Sequence, residues 1–336
     1  MFDYLKNKRV FITGAGTLSA GLLKELSNVE CAIYNRNEAS QFLFKEKYPF
    51  IKCYMGDIQD YERLTTTIRD FKPNVIIHTA AAKRVDVAEL EPINTVKQNI
   101  FGSFNVGLAA IRNNVEAVIG IGTDKEVAPQ TIYGYTKALG SSILLDFDRQ
   151  GDTKFSIVRY GNILCSRSSV GVIWLNAAKE GKKIKVTNGD MTRFWFTIDQ
   201  AVELIDFGLW TTISSPHGHG KIYSTQMCAS KLIDLASALD EQYHCGIETI
   251  GLRVSAEKMH ECLISEKEVK DTVRCIDINR KSPIYANDLT LQYFITAPGS
   301  NKSDITAPFT SENAPQLNKY QLLDMIKYAD DITYKG

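Results

Sequence analysis

No stretch of the sequence approaches the roughly 18 consecutive apolar residues that a membrane-spanning helix requires. The opening MFDYLKNKRVFITGAG runs straight into a strand pattern without the apolar core of a secretory leader. Net charge is missing too. With 39 Lys and Arg against 39 Asp and Glu, no global field favours nucleic acid or an anionic membrane, so an anionic ligand must be held by local groups. The seven cysteines are scattered and form no Cys-x-x-Cys pair, which argues for reduced thiols in a reducing compartment. Histidine is scarce, and His217-Gly-His219-Gly lies in the turn-rich SSPHGHG with no carboxylate nearby, so no metal site is expected. Internal repeats and low-complexity tracts are also lacking. These absences point to a soluble cytoplasmic protein with no nucleic-acid or membrane partner.

What is present is alternation. Short β-branched runs at 9–13, 31–34, 51–54, 74–78, 117–122 and 155–160 are separated by helical patterns near 19–27, 59–70, 92–113 and 133–149. Near-continuous apolar strands between amphipathic helices predict an α/β fold, a doubly wound parallel sheet covered on both faces. A chain of 336 residues also has room for a smaller C-terminal α/β lobe. The expected division is a dinucleotide-binding domain over 1–160, completed by about 198–226, and a second lobe made of 161–197 and 227–336. In that lobe a helix is expected near 170–180, a strand near 184–187, a helix near 230–240, the strand IETIGLRV and the helix AEKMHECL. A tail of low periodicity runs from about Asn279 to Asn318, and a short terminal helix closes the chain.

Ligands of such sheets bind at the carboxyl ends of the strands. Thr13-Gly14-Ala15-Gly16-Thr17-Leu18 follows the first strand and opens a helix, the context a dinucleotide pyrophosphate needs. After the second strand, Asn35-Arg36-Asn37 stands where an acidic residue would bond a free ribose 2′-hydroxyl. Arg36 can pair with a 2′-phosphate, which favours NADP over NAD. Asp57, followed by Ile58, is placed to accept from an adenine amino group. Ala80, Ala81 and Ala82 are small enough to let a cofactor lie over the fourth strand.

The reacting groups come after the fifth strand. Lys137 lies one helical turn beyond Tyr133, so both project from one face. A cation near the phenol, together with a nicotinamide, lowers the tyrosine pKa, so Tyr133 can take a hydroxyl proton while hydride leaves the same carbon. Tyr135 is two residues from Lys137 and faces elsewhere. Once a carbonyl has formed, the neighbouring carbon-bound proton is acidic. Lys125 is placed to remove it and Asp124 to protonate a departing hydroxyl. That pair needs a protonated Asp124 and a neutral Lys125, which desolvation in a closed cleft can provide.

The segments TGAG, NRNE, GDI, HTAAAK, TDK, YGYTK, RYGN, SRSSV, DMTRFW and GLRVSAEKMHE occur in the order and spacing of the extended short-chain dehydrogenase/reductases of polysaccharide biosynthesis. Over about 8–265 the chain resembles the UDP-N-acetylglucosamine 4,6-dehydratases, including the carbon-5-inverting type. The resemblance implies a Rossmann fold, an NADP cofactor and a UDP-sugar substrate. It also implies a homo-oligomer, a dimer or higher up to a hexamer, and work in surface polysaccharide or glycan synthesis. By the same resemblance Thr123 bonds the hexose carbon-4 hydroxyl beside Tyr133, Asp124 is the acid, Lys125 the carbon-5 base, and Tyr133 with Lys137 the oxidising couple. Lys83 lines the sugar site, Asn162 and Arg167 contact the nucleotide sugar, and Arg193, Arg253 and Glu257 hold diphosphate and uridine. The chain departs from the family at Thr17 and Ala20, where glycine is usual, at Cys165, and at Arg253-Val254-Ser255-Ala256-Glu257, which lacks a proline and has an extra residue. The expected reaction is dehydration of a UDP-N-acetylhexosamine to a 4-keto-6-deoxy sugar nucleotide, with inversion at carbon 5 and hydride cycling through NADP. The competing readings are a nucleotide-sugar 4-epimerase of the same fold and a non-catalytic nucleotide-binding homologue.

Overall fold

The computed structural model describes residues 1–164, 166, 169–251, 257–281 and 290–333. It divides into two compact units: Met1–Arg159, Val202–Tyr223 and Thr296–Pro298 in the first, Tyr160–Ala201, Ser224–Ile295 and Gly299–Gly336 in the second.

In the first unit the elements run β1 (Arg9–Thr13), α1 (Thr17–Glu25), β2 (Glu30–Asn35), α2 (Glu38–Lys47), β3 (Lys52–Met55), α3 (Tyr61–Phe71), β4 (Val75–His78), α4 (Val85–Leu90), α5 (Pro92–Val96), α6 (Gly102–Arg112), β5 (Ala117–Ile121), α7 (Ile132–Phe147) and β6 (Lys154–Val158). The start of a later strand, at Ile222 and Tyr223, pairs with β6. From that strand the order across the sheet is β6, β5, β4, β1, β2, β3, and the pairings are parallel. The chain winds outward from β1 through β2 to β3, then returns to place β4 on the other side of β1. Strand order therefore reverses between β1 and β4, and a ligand crevice opens at such a reversal.

The sheet forms because its central strands are apolar on both faces. Phe11, Ile76, Val118 and Phe155 enter one core with Ile68 and Phe71 of α3, Val106 of α6, and Leu144 and Phe147 of α7. Side-chain caps fix where the helices start: Asn37 accepts from the Ser40 amide, Asp60 from that of Arg63, and Thr131 from that of Gly134. Each cap contributes on the order of 1 kcal/mol.

The single helix expected over 92–113 is interrupted. Between α5 and α6 lies a wider π-type turn at Lys97–Phe101. Such a turn swings a side chain out of the regular ladder. Here it delivers Asn99, whose Oδ1 accepts from the Ala82 amide at 2.8 Å and whose Nδ2 donates to the Ala82 carbonyl at 3.1 Å and to Thr136 at 3.0 Å. The loop after β4 is thereby fastened to α7.

In the second unit the helices Val170–Lys179, Leu232–Tyr243 and Lys319–Thr333 surround a core that includes Trp174, Trp195, Leu235, Leu322 and Met325. Strand Thr192–Phe196 runs antiparallel to Cys228–Lys231 and parallel to Asn162–Ile163. Strand Ile184–Val186 lies beside Ile247–Thr249.

The helix expected over AEKMHECL does not form among its described residues. Glu257 to Glu261 are irregular, and Cys262–Ile264 is a strand paired antiparallel with Phe309–Thr310. The reason is where the carbonyls go. Met259 O accepts from the Thr192 amide at 2.9 Å, and the Arg193 guanidinium takes the carbonyls of Lys258 and Met259. Carbonyls committed to a neighbouring strand cannot close helical turns. A strand at Thr272–Lys281 leads into the tail, which itself carries more strand than its low periodicity suggests, at Thr290–Thr296 and Phe309–Thr310.

Candidate active site

The carboxyl ends of the sheet strands carry the first group of expected residues. Thr13 ends β1 with its hydroxyl 2.8 Å from His78 Nδ1 and accepting from the Ala80 amide at 3.3 Å. Gly14 has φ +91, and a Cβ there would lie 2.8 Å from Thr79 Oγ1, so only glycine fits. Gly16 caps α1 without a side-chain bond to the helix amides, and its own face is open space. Thr17 starts that helix, while Leu18 is buried beneath it.

Asn35 ends β2, and its Oδ1 is buried without a partner. Arg36, half exposed, pairs through Nη1 with Asp57 at 2.9 Å, and the Gln98 amide oxygen, turned towards it, accepts from Nη2 at 2.8 Å. Asp57 thus faces Arg36 and the Gln59 amide, while Ile58 is buried in the core. Ala80, Ala81 and Ala82 are partly buried in the loop that Asn99 fastens, and Lys83 is exposed.

The second group gathers where β5 ends. Thr123 caps a short turn at Asp124–Glu126, accepting from the Lys125 amide at 3.4 Å and donating to Asp124 Oδ1 at 3.0 Å. Lys125 Nζ reaches the same Asp124 oxygen at 3.0 Å. The Asp124 side chain is fully buried and that of Lys125 is 23% exposed. Across from this turn stands Tyr133, bonded to the Thr123 hydroxyl.

Burial pushes the Tyr133 phenol up to about 12. The charge on Lys125 and the Thr123 bond draw it down, whereas Asp124 and Glu126 push it further up. Lys137 instead donates to the Ile121 carbonyl at 2.6 Å. Its own pKa is lowered by burial and raised by Glu126. Among the charged groups that act on the phenol, Lys125 draws it down, while the Lys137 ammonium is turned to the Ile121 carbonyl. Tyr135 is half exposed on the helix surface.

Gly134 brings α7 this close to the turn. A Cβ at that position would lie 2.4 Å from the Lys125 carbonyl oxygen, so any larger residue would hold the two segments apart. The Thr123 hydroxyl thus lies between the phenol and Asp124, whose Oδ1 also meets Lys125.

Sequence reasoning passed over several groups here. His78 is fully buried between Thr13 and Ser103, and burial, then the charge of Lys137, lowers its pKa to about 3. Glu126 is buried against Arg159 and Ser141. Its position directly after Lys125, in a turn read only for its first residues, was the available signal. Asn99 had none beyond its polarity inside an apolar helical pattern.

In the second unit Asn162 donates to the Phe194 carbonyl at 3.3 Å. Arg193 is buried, with Nη1 on the carbonyls of Thr192 and Lys258 at 2.8 and 3.0 Å and Nε 3.9 Å from Glu261. It acts as a staple holding residues 258–261 on strand Thr192–Phe196. Glu257 has a buried Oε2 with no partner. Arg167 and Arg253 lie outside the described residues. In the first unit, His219 pairs with Asp148 at 2.8 Å.

A family model described as "Polysaccharide biosynthesis protein" matches residues 10–283. The chain is 32% identical to the UDP-N-acetylglucosamine 4,6-dehydratase (inverting) of Campylobacter jejuni over 96% of this chain and 98% of that protein. It is 31% identical to the UDP-glucose 4-epimerase of Rickettsia massiliae over 96% of each. Among solved structures, Pen from Bacillus thuringiensis superposes with a TM-score of 0.85 at 28% identity, covering 98% of this chain and 99% of that one. No described helix is long and apolar enough to cross a membrane.

Proposed function

The chain belongs to the polysaccharide biosynthesis protein family of extended short-chain dehydrogenase/reductases, and from that membership we propose that it is an NADP-dependent UDP-N-acetylhexosamine 4,6-dehydratase that inverts carbon 5. The observation that carries this reading is the buried Asp124–Lys125 pair joined through Thr123 to the Tyr133 phenol. A simple alcohol oxidation or a 4-epimerisation needs Tyr133 and Lys137 but not Asp124 or Lys125. The added acid and base match a reaction that also expels a hydroxyl.

The residues present fit a dinucleotide. Gly14 and Gly16 leave backbone room above β1, and the orphaned Asn35 Oδ1 awaits a donor where an adenosine ribose belongs. Arg36 supports NADP, since its exposed guanidinium can exchange part of its contact with Asp57 for a 2′-phosphate. When bound, a nicotinamide would supply hydride chemistry, uptake from one substrate carbon and return to another.

The chain's own residues handle the protons. Tyr133 accepts the carbon-4 hydroxyl proton, helped by the Lys125 charge and by Thr123, which turns its proton to the phenolate. At 3.0 Å, one proton can sit on either member of the Asp124–Lys125 pair. The neutral form, carboxylic acid beside amine, has the same net charge as the ion pair, so arming it requires no proton from water. Lys125 then takes the carbon-5 proton and Asp124 gives its own to the departing carbon-6 hydroxyl, forming water. Once carbon 6 is reduced, Lys125 would return its proton to the opposite face of carbon 5, which inverts that centre, and the proton held by Tyr133 would pass by way of Thr123 to the Asp124 carboxylate, restoring the starting state. In the second unit, the orphaned Glu257 oxygen supports a contact to the nucleotide's hydroxyls.

We also propose a cytoplasmic homo-oligomer. Leu90, Ile93, Phe101, Phe104, Tyr135 and Leu139, all exposed on the neighbouring α4 to α7 region, support an interface there.

Incubating the protein with NADP and UDP-N-acetylglucosamine and weighing the products tests the reaction. Loss of one water is expected, with no net change in the nicotinamide absorbance. Formation of the 4-epimer without loss of water favours the second reading, which the Rickettsia relative's name supports. Bound cofactor with unchanged sugar overturns both.

A further inference from the structure

Glu126 takes no part in the proton transfers above, yet it is 5% exposed and sits beside them. Its Oε1 meets Arg159 Nε at 2.9 Å, and its Oε2 accepts from Ser141 at 3.0 Å. Arg159 follows β6. Ser141 lies on α7 one turn beyond Lys137 and two beyond Tyr133, so the three share a helix face. One carboxylate thus ties the turn that carries Asp124 and Lys125 to the helix that carries Tyr133 and Lys137.

We propose that Glu126 is a positioning residue for this site, one that locks the Asp124–Glu126 turn against α7 and fixes a negative charge beside Tyr133 and Lys137. The inference rests on the dehydratase reading for its meaning but not for its test. The charged and titratable groups facing the cluster are Asp124 and Lys125 on the turn, Tyr133 and Lys137 on α7, Arg159 after β6, and His78 on β4, which is neutral and feels Lys137. Glu126 raises both Tyr133 and Lys137. Removing its charge therefore moves both groups to lower values, the phenol towards easier ionisation and the ammonium towards earlier loss.

The experiment compares the wild type with Glu126→Gln and Glu126→Asp, each alone and combined with Tyr133→Phe. The ultraviolet phenolate difference between the members of each pair, read in a rapid pH jump before alkaline unfolding, isolates Tyr133 without substrate. A lower midpoint is expected in Glu126→Gln, and a midpoint close to wild type in Glu126→Asp, which keeps the charge. Should Glu126→Gln fail to fold because Arg159 is left unpaired, the double change Glu126→Gln/Arg159→Gln removes the buried charge on both sides, and the same downward shift is expected. An unchanged midpoint, with or without lost thermal stability, overturns the proposal. In the second arm the pH profile of water loss from UDP-N-acetylglucosamine should move to the acid side in Glu126→Gln. If the wild type itself releases no water, the dehydratase reading fails, while the phenolate titration still decides the role of Glu126.

Discussion

Replacing Gly134 by alanine adds a single methyl group, and the structure says where it would go. The new Cβ would sit 2.4 Å from the Lys125 carbonyl oxygen and 3.1 Å from Pro129 Cβ, against an ordinary contact distance of 3.4 Å or more. Helix propensity favours alanine over glycine by about 1 kcal/mol, so an isolated helix would gain from the change. The oxygen is main chain and cannot rotate away, and relief requires α7 and the Asp124–Glu126 turn to separate by about 1 Å. Crowding of this kind costs roughly 1–3 kcal/mol, so the net loss of stability should be small, on the order of 1 kcal/mol. Geometry pays more heavily, because the separation stretches the Tyr133–Thr123 bond and moves Lys125 from the phenol, and a misplacement of about 1 Å can cost around 10²-fold in rate. Urea unfolding followed by circular dichroism measures the first effect, and the rate of water loss under saturating UDP-N-acetylglucosamine measures the second. A folded Gly134→Ala protein with the wild-type rate would refute the claim that this close approach assembles the site.

Lys125→Ala should reduce water loss by about 10²–10⁴-fold and raise the Tyr133 midpoint, since the lysine charge draws it down; mass analysis and phenolate titration read the two, and a variant that still dehydrates the sugar sinks the base assignment. His78, lowered to about 3 from an ordinary 6.5, contributes stability that is present above pH 6.5 and lost as the pH falls towards 3. The slope in that window reaches about 1.4 kcal/mol per pH unit, so a His78→Gln protein should show a flatter acid limb in denaturant midpoints between those values. Arg36→Ala should weaken NADP about 10- to 100-fold in calorimetric titration, the worth of one charge-assisted hydrogen bond at 1.5–3 kcal/mol, and leave NAD nearly unchanged. The double change Tyr135→Glu/Leu139→Glu should lower the mass seen by light scattering to that of the monomer; an unaltered mass places the interface elsewhere.

The parallel sheet was legible because its signal is local. β1 matches the apolar run at 9–13 residue for residue, and β2 to β6 fall within two residues of the expected runs, since every one of these strands but the edge strand β3 is buried along most of its length. What could not be read depends on distant partners. The break between α5 and α6 exists for Asn99 and its bonds to Ala82 and Thr136, residues far from it in sequence. Residues 257–261 are non-helical because Arg193, more than sixty positions earlier, claims their carbonyls. The same holds for the site. The TDK and YGYTK motifs pointed to Thr123, Asp124, Lys125, Tyr133 and Lys137 as candidates, but no spacing rule reveals that Lys125 turns to Asp124 and Lys137 to the Ile121 carbonyl. That follows from how tightly α7 approaches the turn, which Gly134 decides.

Two buried ion pairs therefore stand side by side at the end of β5, Asp124 with Lys125 and Glu126 with Arg159. Burying such pairs is expensive, and stability alone does not explain them, because well-packed apolar residues often do as well or better. Their members differ in what surrounds them. The side chains of Arg159 and Glu126 are 6% and 1% exposed and bonded in place, whereas that of Lys125 is 23% exposed. A locked pair supplies fixed charge, while an open pair can pass a proton across its own short contact without changing its net charge. In the proposed reaction the open pair does the proton transfer and the locked pair holds the field around it constant. Arg159→Ala, which leaves Glu126 as an unpaired buried charge, should accordingly cost about 3–5 kcal/mol of stability, whereas Lys125→Ala, at the open pair, should cost distinctly less while losing more activity. Equal stability losses for the two variants in parallel urea titrations would remove the distinction.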